Sequence, residues 1–202
     1  MIDGEGHLGA SDNSERMTAV ENHYKWVEAA KTLGCHSIRV NAAGKGSSEE
    51  VQKAAIDGLT KLSTFAKDFD INIIVENHGG FSSNGKWLNK AISSVGMDNC
   101  GTLPDFGNFC IKNGKSGCEE EYDRYQGMKE LMPFAKGVSA KSHDFDAEGN
   151  ETKTDFRKML NIVKKAKFSG FVGIEYEGSA LSEIEGIKAT KKLLEKIREE
   201  YS

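Results

Sequence analysis

The stretch Ile73-Ile74-Val75-Glu76-Asn77-His78-Gly79-Gly80 decides how the rest of the chain is read. A continuous apolar run of strand length reads as a strand buried on both faces, which is the mark of a parallel sheet covered by helices. The run stops abruptly in an acid, an amide, an imidazole and two glycines. Polar groups therefore crowd the C-terminal end of the strand, the place where α/β proteins bind their ligands.

Outward from this strand, helices and strands alternate. Upstream, Met17, Val20, Tyr24 and Val27 recur at steps of three and four between Asn13 and Leu33, with Gly34 as a stop, and predict an amphipathic helix. Ser37-Ile38-Arg39-Val40-Asn41 reads as a short strand, and a helix entered through Glu49 and Glu50 buries Val51, Ala55, Leu59, Leu62, Ala66 and Phe69. Downstream, Trp87, Leu88 and Ile92 are core residues of a helix over 85–95. Gly101-Thr102-Leu103-Pro104-Asp105 is a weaker strand because of its proline, and Phe106-Gly107-Asn108 turns away from it.

An exposed excursion over 111–123 precedes a helix over 122–132, and Gly137 to Lys141 is the next strand. Thr154 is expected to cap a helix over 155–167, Phe171 to Tyr176 form the last strand, and a closing helix over 182–200 alternates apolar Ile187, Leu193, Leu194 and Ile197 with Lys and Glu. Strands recur roughly every 30 to 35 residues with one helix after each, the rhythm of βαβ units. A doubly wound sheet and a (β/α) barrel both fit. No GxGxxG or Walker pattern follows the first strand, which favours the barrel.

Composition bounds the answer. The 202 residues suit a single domain over 1–202, and 38% hydrophobic with 29% charged is ordinary for a globular protein. With 27 basic and 31 acidic residues the net charge is -4, which excludes a global attraction to nucleic acid or to an anionic membrane. Cys35, Cys100, Cys110 and Cys118 show no CxxC pair and no regular spacing, so free thiols in a reducing compartment are expected. No apolar window reaches membrane-spanning length and the N-terminus lacks the signature of a signal peptide, so a cytoplasmic location is expected.

The strand ends carry Asn41, Glu76 with His78, Asp105 with Asn108, Lys141 with Ser142 and His143, and Glu175 with Glu177. Three acids converging on one opening repel each other unless a cation, a shared proton or a buried lysine offsets them. A hard divalent cation is the simplest answer, and Mg²⁺ or Mn²⁺ suits carboxylates better than zinc does. Two such acids on opposite sides of a substrate could also act as base and acid on a carbon next to a carbonyl, which is isomerase or epimerase chemistry on a sugar. His7, His23 and His36 sit with no acid cluster at a strand end and read as structural or surface residues.

The motifs Val75-Glu76-Asn77-His78-Gly79-Gly80, Leu103-Pro104-Asp105-Phe106-Gly107-Asn108, Val138-Ser139-Ala140-Lys141 and Gly173-Ile174-Glu175-Tyr176-Glu177-Gly178 resemble those of the sugar phosphate isomerase/epimerase family with the xylose-isomerase-like TIM barrel. The resemblance runs from Asp3 to the end of the chain. It implies Glu76, Asp105 and Glu175 as metal ligands, with Glu76 and Glu175 also the catalytic acid and base. It implies a divalent metal, Mn²⁺ or Mg²⁺ first and Zn²⁺ or Co²⁺ as alternatives. His78, Asn108, Lys141 and Asn41 are the expected contacts to a small sugar or sugar phosphate.

Two departures stand out. Where relatives carry His-x-Lys-Asp, this chain reads Ser139-Ala140-Lys141-Ser142, so either His143 folds back as the replacement ligand or Lys141 supplies positive charge among the acids. His143 lies four residues beyond Ser139, ~13 Å along an extended strand. A full barrel takes about 250 residues, so an incomplete α/β parallel barrel of the TIM type is expected, with about five βα units plus the end of one strand and an open edge that a homo-oligomer could cover. A non-catalytic carbohydrate-binding relative, or an inactive fragment of such a barrel, is the alternative reading. A DNA-repair endonuclease of related fold is disfavoured by five scattered histidines and the acidic balance.

Overall fold

In the computed structural model of the protein, which describes residues 1–201, fifteen local elements follow the expected alternation. The first helix, α1 (Asn13–Thr32), starts where the Asp12 carboxylate accepts the Glu15 backbone N–H at 2.8 Å. Strand β1 (Ser37–Val40) leads to α2 (Ser48–Lys67), whose entry is a capping box between Ser47 and Glu50. Strand β2 (Asn72–Glu76) carries the opening motif and is followed by a 3₁₀ turn (Gly80–Ser83) and α3 (Gly85–Val95). Strand β3 (Cys100–Leu103) is followed by β4 (Cys110–Gly114), β5 (Gly117–Glu121) and α4 (Arg124–Leu131). A second 3₁₀ turn (Met132–Phe134), β6 (Val138–Ser142), α5 (Phe156–Lys165), β7 (Val172–Tyr176) and α6 (Glu183–Glu200) complete the chain.

All the sheet-forming strands other than β4 and β5 run parallel. Strands β1, β2 and β3 pair in that order, and β6 pairs with β7. Two isolated parallel bridges, Thr102 to Ala135 and Asp105 to Ser139, join the halves. Pro104 explains why the seam is broken: it has no N–H to give, yet its carbonyl accepts the Ser139 N–H at 2.9 Å, and Phe106 N–H reaches the Ser139 carbonyl at 3.1 Å. The N-terminal segment lies beside β1, with Ile2 N–H donating to the Arg39 carbonyl at 3.0 Å. Among the described residues no strand pairs with the far edge of β7.

Two apolar clusters support this sheet. One gathers Val40, Ile73, Val75, Leu59, Leu62 and Leu88 between α1–α3 and the first three strands; the other gathers Phe106, Phe109, Met128, Phe156, Met159 and Ile197 under β6. The expected stripe on α2 is buried at Val51, Ala55, Leu59, Leu62 and Ala66, while Phe69 only packs against its edge.

The fold refines the expected exposed excursion and corrects the readings of the cysteines and of the α5 cap. The excursion over 111–123 is an antiparallel hairpin, because β4 and β5 pair with a shift in register. Cys110 and Cys118 are not free: the hairpin sets their Cα atoms 5.7 Å apart, within disulfide range, and they are bonded. Cys35 is free but exposed, so the buried free thiol is Cys100, and the cysteines give no argument for a reducing compartment. The cap of α5 is Asp155, which accepts the Lys158 N–H at 3.0 Å, and not Thr154. Along α6, Leu193 and Ile197 turn inward while Ile187 is exposed. No helix among the described residues is long and apolar enough to cross a membrane.

Gly58 shows how tightly α2 seats. A Cβ there would overlap the Leu8 carbonyl oxygen and lie 3.2 Å from its carbon. Alanine is the better helix former by about 1 kcal/mol, whereas forced overpacking typically costs 1–3 kcal/mol. Gly58→Ala is therefore expected to lower unfolding stability by about 1–2 kcal/mol in urea titrations; a stabilised variant would show that the contact yields freely.

Candidate active site

Each functional side chain is carried by the C-terminal end of a parallel strand. Glu76 ends β2, and its carboxylate is buried at 1% exposure. Arg39 on β1 donates from Nε to Glu76 Oε2, and Asn108 Nδ2 donates to Oε1 at 2.8 Å. The Arg39 guanidinium also bonds Asp3 Oδ1 at 2.8 Å, where Asn41 Nδ2 meets the same oxygen at 2.7 Å. Burial would raise the Asp3 pKa, but Arg39 and its hydrogen bonds outweigh that and hold it below the usual carboxylate range.

Asn77 ties β2 to the next strand end. Its Oδ1 accepts the Asp105 N–H at 2.8 Å while its Nδ2 donates to the carbonyls of Asp105 at 3.1 Å and Asn108 at 3.0 Å. Asp105 is itself fully buried. One oxygen, Oδ1, accepts the backbone N–H groups of Gly107 and Asn108, both at 2.8 Å; the other, Oδ2, is buried with no hydrogen-bond partner. Burial of the carboxyl pushes its pKa up to about 7, against the opposing influence of Ser139 and Lys141.

The inward face of β6 presents Ser139 and Lys141, two residues apart. Ser139 Oγ donates to Glu175 Oε2 at 2.9 Å. Lys141 Nζ lies 3.2 Å from Glu175 Oε1 and 2.9 Å from Glu177 Oε1, with its side chain only 3% exposed. Burial alone would lower the Lys141 pKa, yet Asp105, Glu177 and Glu175 together raise it, and Lys141 in turn holds Glu177 down. Glu175, on β7, is the more open acid, 26% exposed.

These elements bring ligand oxygens of Glu76, Asp105 and Glu175 to within 4.8 Å of one another. The donor set is all carboxylate, and the buried Asp105 Oδ2 has no hydrogen-bond partner. Both features fit a hard divalent cation. Of the other residues singled out in the sequence, Asn108 and Lys141 contact these acids directly, and Asn41 is linked to Glu76 only through Asp3 and Arg39. His78 is exposed on the following loop, where its N–H bonds Ser82 Oγ.

His143 is not brought into the group. Its N–H donates to Glu151 Oε1 at 3.1 Å, and its Nδ1 is buried 3.6 Å from the same oxygen without a hydrogen bond. Burial, with Lys153 nearby, lowers its pKa. Glu151 is occupied as a loop clasp, accepting also from the N–H groups of Lys153 and Thr154. Sequence alone assigns no role to Asn77, the clasp between the strand ends, although it stands between Glu76 and His78 in the opening motif. A buried amide with both ends matched to backbone groups is a positioning feature that only the fold reveals.

The profile of the family described as xylose isomerase-like TIM barrel matches residues 1–200. No curated protein matches the chain in sequence. Among solved structures, the IOLI protein with a binding zinc atom superposes with a TM-score of 0.71 at 19% identity, covering 96% of this chain and 76% of its own. A D-tagatose 3-epimerase-like protein gives 0.75 at 18%, covering 98% and 75%. The 3-keto-D-glucoside 4-epimerase YcjR from E. coli gives 0.68 at 17%, covering 96% and 75%. At these identities the likeness is one of fold, and it is a TIM-barrel-like fold.

The raised Asp105 pKa has a thermodynamic consequence. A carboxyl whose folded pKa, about 7, exceeds its unfolded value of 3.8 binds more protons when folded, so its contribution to stability falls as pH rises between those values. Asp105→Asn keeps an acceptor for the two N–H groups and removes the titration. The stability difference between variant and wild type, measured in metal-free buffer, should be small at pH 4 and grow in favour of the variant to on the order of 4 kcal/mol by pH 8. A difference that stays flat with pH would place the carboxyl in a solvated setting.

Proposed function

Because the chain belongs to the xylose isomerase-like TIM barrel family, we propose that it is a divalent-metal-assisted isomerase or epimerase acting on a small sugar or sugar phosphate. The observation that carries this reading is the convergence of Glu76, Asp105 and Glu175 within 4.8 Å beside a buried carboxylate oxygen with no hydrogen-bond partner. Fold neighbours bearing the names of sugar epimerases, and one with a binding zinc atom, support it. The barrel is proposed to be partial, with β1, β2, β3, β6 and β7 as five of its staves.

Glu76, Asp105 and Glu175 would hold the metal, and their oxygen-only donor set favours Mg²⁺ or Mn²⁺ over zinc. When bound, the metal supplies positive charge that lowers the cost of an enediolate. The protein's own groups move the proton. Glu76 on β2 and Glu175 on β7 are separated by β3 and β6, so a sugar carbon between them meets one carboxylate on each side. One takes the proton from the carbon next to the carbonyl, and the other returns a proton to the opposite face.

Arg39 and Asn108 fix the Glu76 carboxylate at both oxygens, and Ser139 and Lys141 fix that of Glu175. Such pairs hold the carboxylates oriented before metal and substrate arrive. Asn108, Asn41, Lys141 and His78 are the proposed contacts to sugar hydroxyls. His143, held against Glu151, is left out of the ligand set.

In D₂O with Mn²⁺, the wild-type protein should exchange a substrate carbon proton with solvent when a panel of ketoses is followed by NMR. Glu76→Gln and Glu175→Gln should each slow exchange by roughly 10²–10⁴-fold, the usual worth of a general acid or base. Full exchange activity in both variants would overturn the mechanism.

A further inference from the structure

Two cations are already built into this acidic opening. Asp3, Glu76, Asp105, Glu175 and Glu177 face Arg39 and Lys141, and the two cations are placed differently. Arg39 is locked by bonds to both Asp3 and Glu76, on the side of the site formed by β1 and β2. Lys141 stretches across the other side. Its stem crosses Gly107, where a Cβ would stand 2.9 Å from Lys141 Cδ and 3.2 Å from Cγ, so the missing side chain opens the path for the lysine.

At the end of that path the ammonium is shared. Glu175 receives it at 3.2 Å and Glu177 at 2.9 Å, and Glu177 lies outward at 52% exposure while Lys141 itself is 3% exposed. With Ser139 on the other oxygen, β6 engages both oxygens of Glu175, whereas Asp105 Oδ2 has no partner. A divalent cation drawing on Glu175 would stand within a few ångströms of this ammonium, and like charges at that range repel strongly in a buried setting. Lysine is suited to yielding, since its ammonium is a point charge on a flexible stem, and Glu177 gives it a second partner to retire to.

Resting on the metal-assisted reading above, we infer that Lys141 is a tethered counter-ion that competes with the divalent metal for Glu175, with Glu177 as its alternative partner. It is a positioning residue: it keeps Glu175 compensated and aimed when no metal is bound, and it weakens metal binding by the work of displacing it. A purely structural lysine would do the reverse, because its loss would loosen Glu175 and weaken the metal site.

The test is calorimetric titration of the purified full chain with Mn²⁺, with circular dichroism and thermal melts confirming that each variant is folded. Lys141→Met should tighten Mn²⁺ binding about tenfold or more. Gly107→Ala, which crowds the stem without touching the charge, should tighten it in the same direction. Lys153→Met, which removes a positive charge near His143 but has no contact with Glu175, should change the affinity less than about twofold by comparison with an ion-pair partner.

Binding in wild type with unchanged or weaker binding in folded Lys141→Met overturns the competition and leaves the metal-assisted reading standing. Binding in Lys141→Met with none detectable in wild type supports it in its strongest form. If neither folded protein binds Mn²⁺, the metal-assisted reading falls and the competition falls with it. An equal gain in Lys153→Met overturns a specific competition in favour of a general field.

Discussion

Holding three carboxylates within 4.8 Å of one another, two of them out of water, is the constraint around which this structure is arranged. At an effective dielectric near 20, two like charges about 5 Å apart repel by roughly 3 kcal/mol, so three such pairs would strain a small domain. The chain distributes the problem among different solutions. Glu76 is paired with a locked guanidinium, Glu175 with an ammonium shared with Glu177 and a hydroxyl, and Asp105 with two backbone N–H groups that leave one oxygen bare. Burial shifts Asp105 toward its neutral form because it outweighs the opposing influence of Ser139, Lys141 and the Gly107 N–H.

The parallel register makes this distribution available. Ser139 bridges to Asp105 on one side and pairs with Gly173 on the other, while Lys141 pairs with Glu175. Strand β6 therefore passes between two of the acids and can address both. Asn77 does the same between β2 and the end of β3, using an amide that satisfies one donor and two acceptors at once. The seam is weakest where Pro104 interrupts it, and the backbone bonds on either side of Ser139 carry the continuity across. The geometry of the acids thus rests on a few bonds between strand ends and less on regular pairing.

Much of this layout is legible in the amino-acid sequence. The apolar run before Glu76, the recurrence of strand and helix, and acids at three strand ends follow from periodicity and from the burial of parallel strands on both faces. What the sequence leaves illegible has physical reasons. The pairing of Cys110 with Cys118 depends on hairpin register, which a Lys- and Glu-rich stretch with no apolar alternation does not encode. The place of His143 depends on a loop whose clasp, Glu151, bonds backbone groups of residues near it and away from the acids. Thr154 and Asp155 are both good caps, and only the Lys158 N–H decides between them.

The asymmetry between the two proposed proton-transfer groups follows from the same layout. Glu76 sits on β2, between two paired neighbours, and is 1% exposed; Glu175 sits on β7, whose far edge no described strand covers, and is 26% exposed. A proton lodged on Glu175 can reach water, whereas one lodged on Glu76 has Arg39 and Asn108 as its nearest polar neighbours. In the proposed reaction the two carboxylates are then unequal: Glu175 is the one open to solvent, and Glu76 is the one sheltered from it. Ser139 on β6 stands between Asp105 and Glu175 and bonds the more exposed of the two carboxylates, so the hydroxyl and the access of solvent act on the same group.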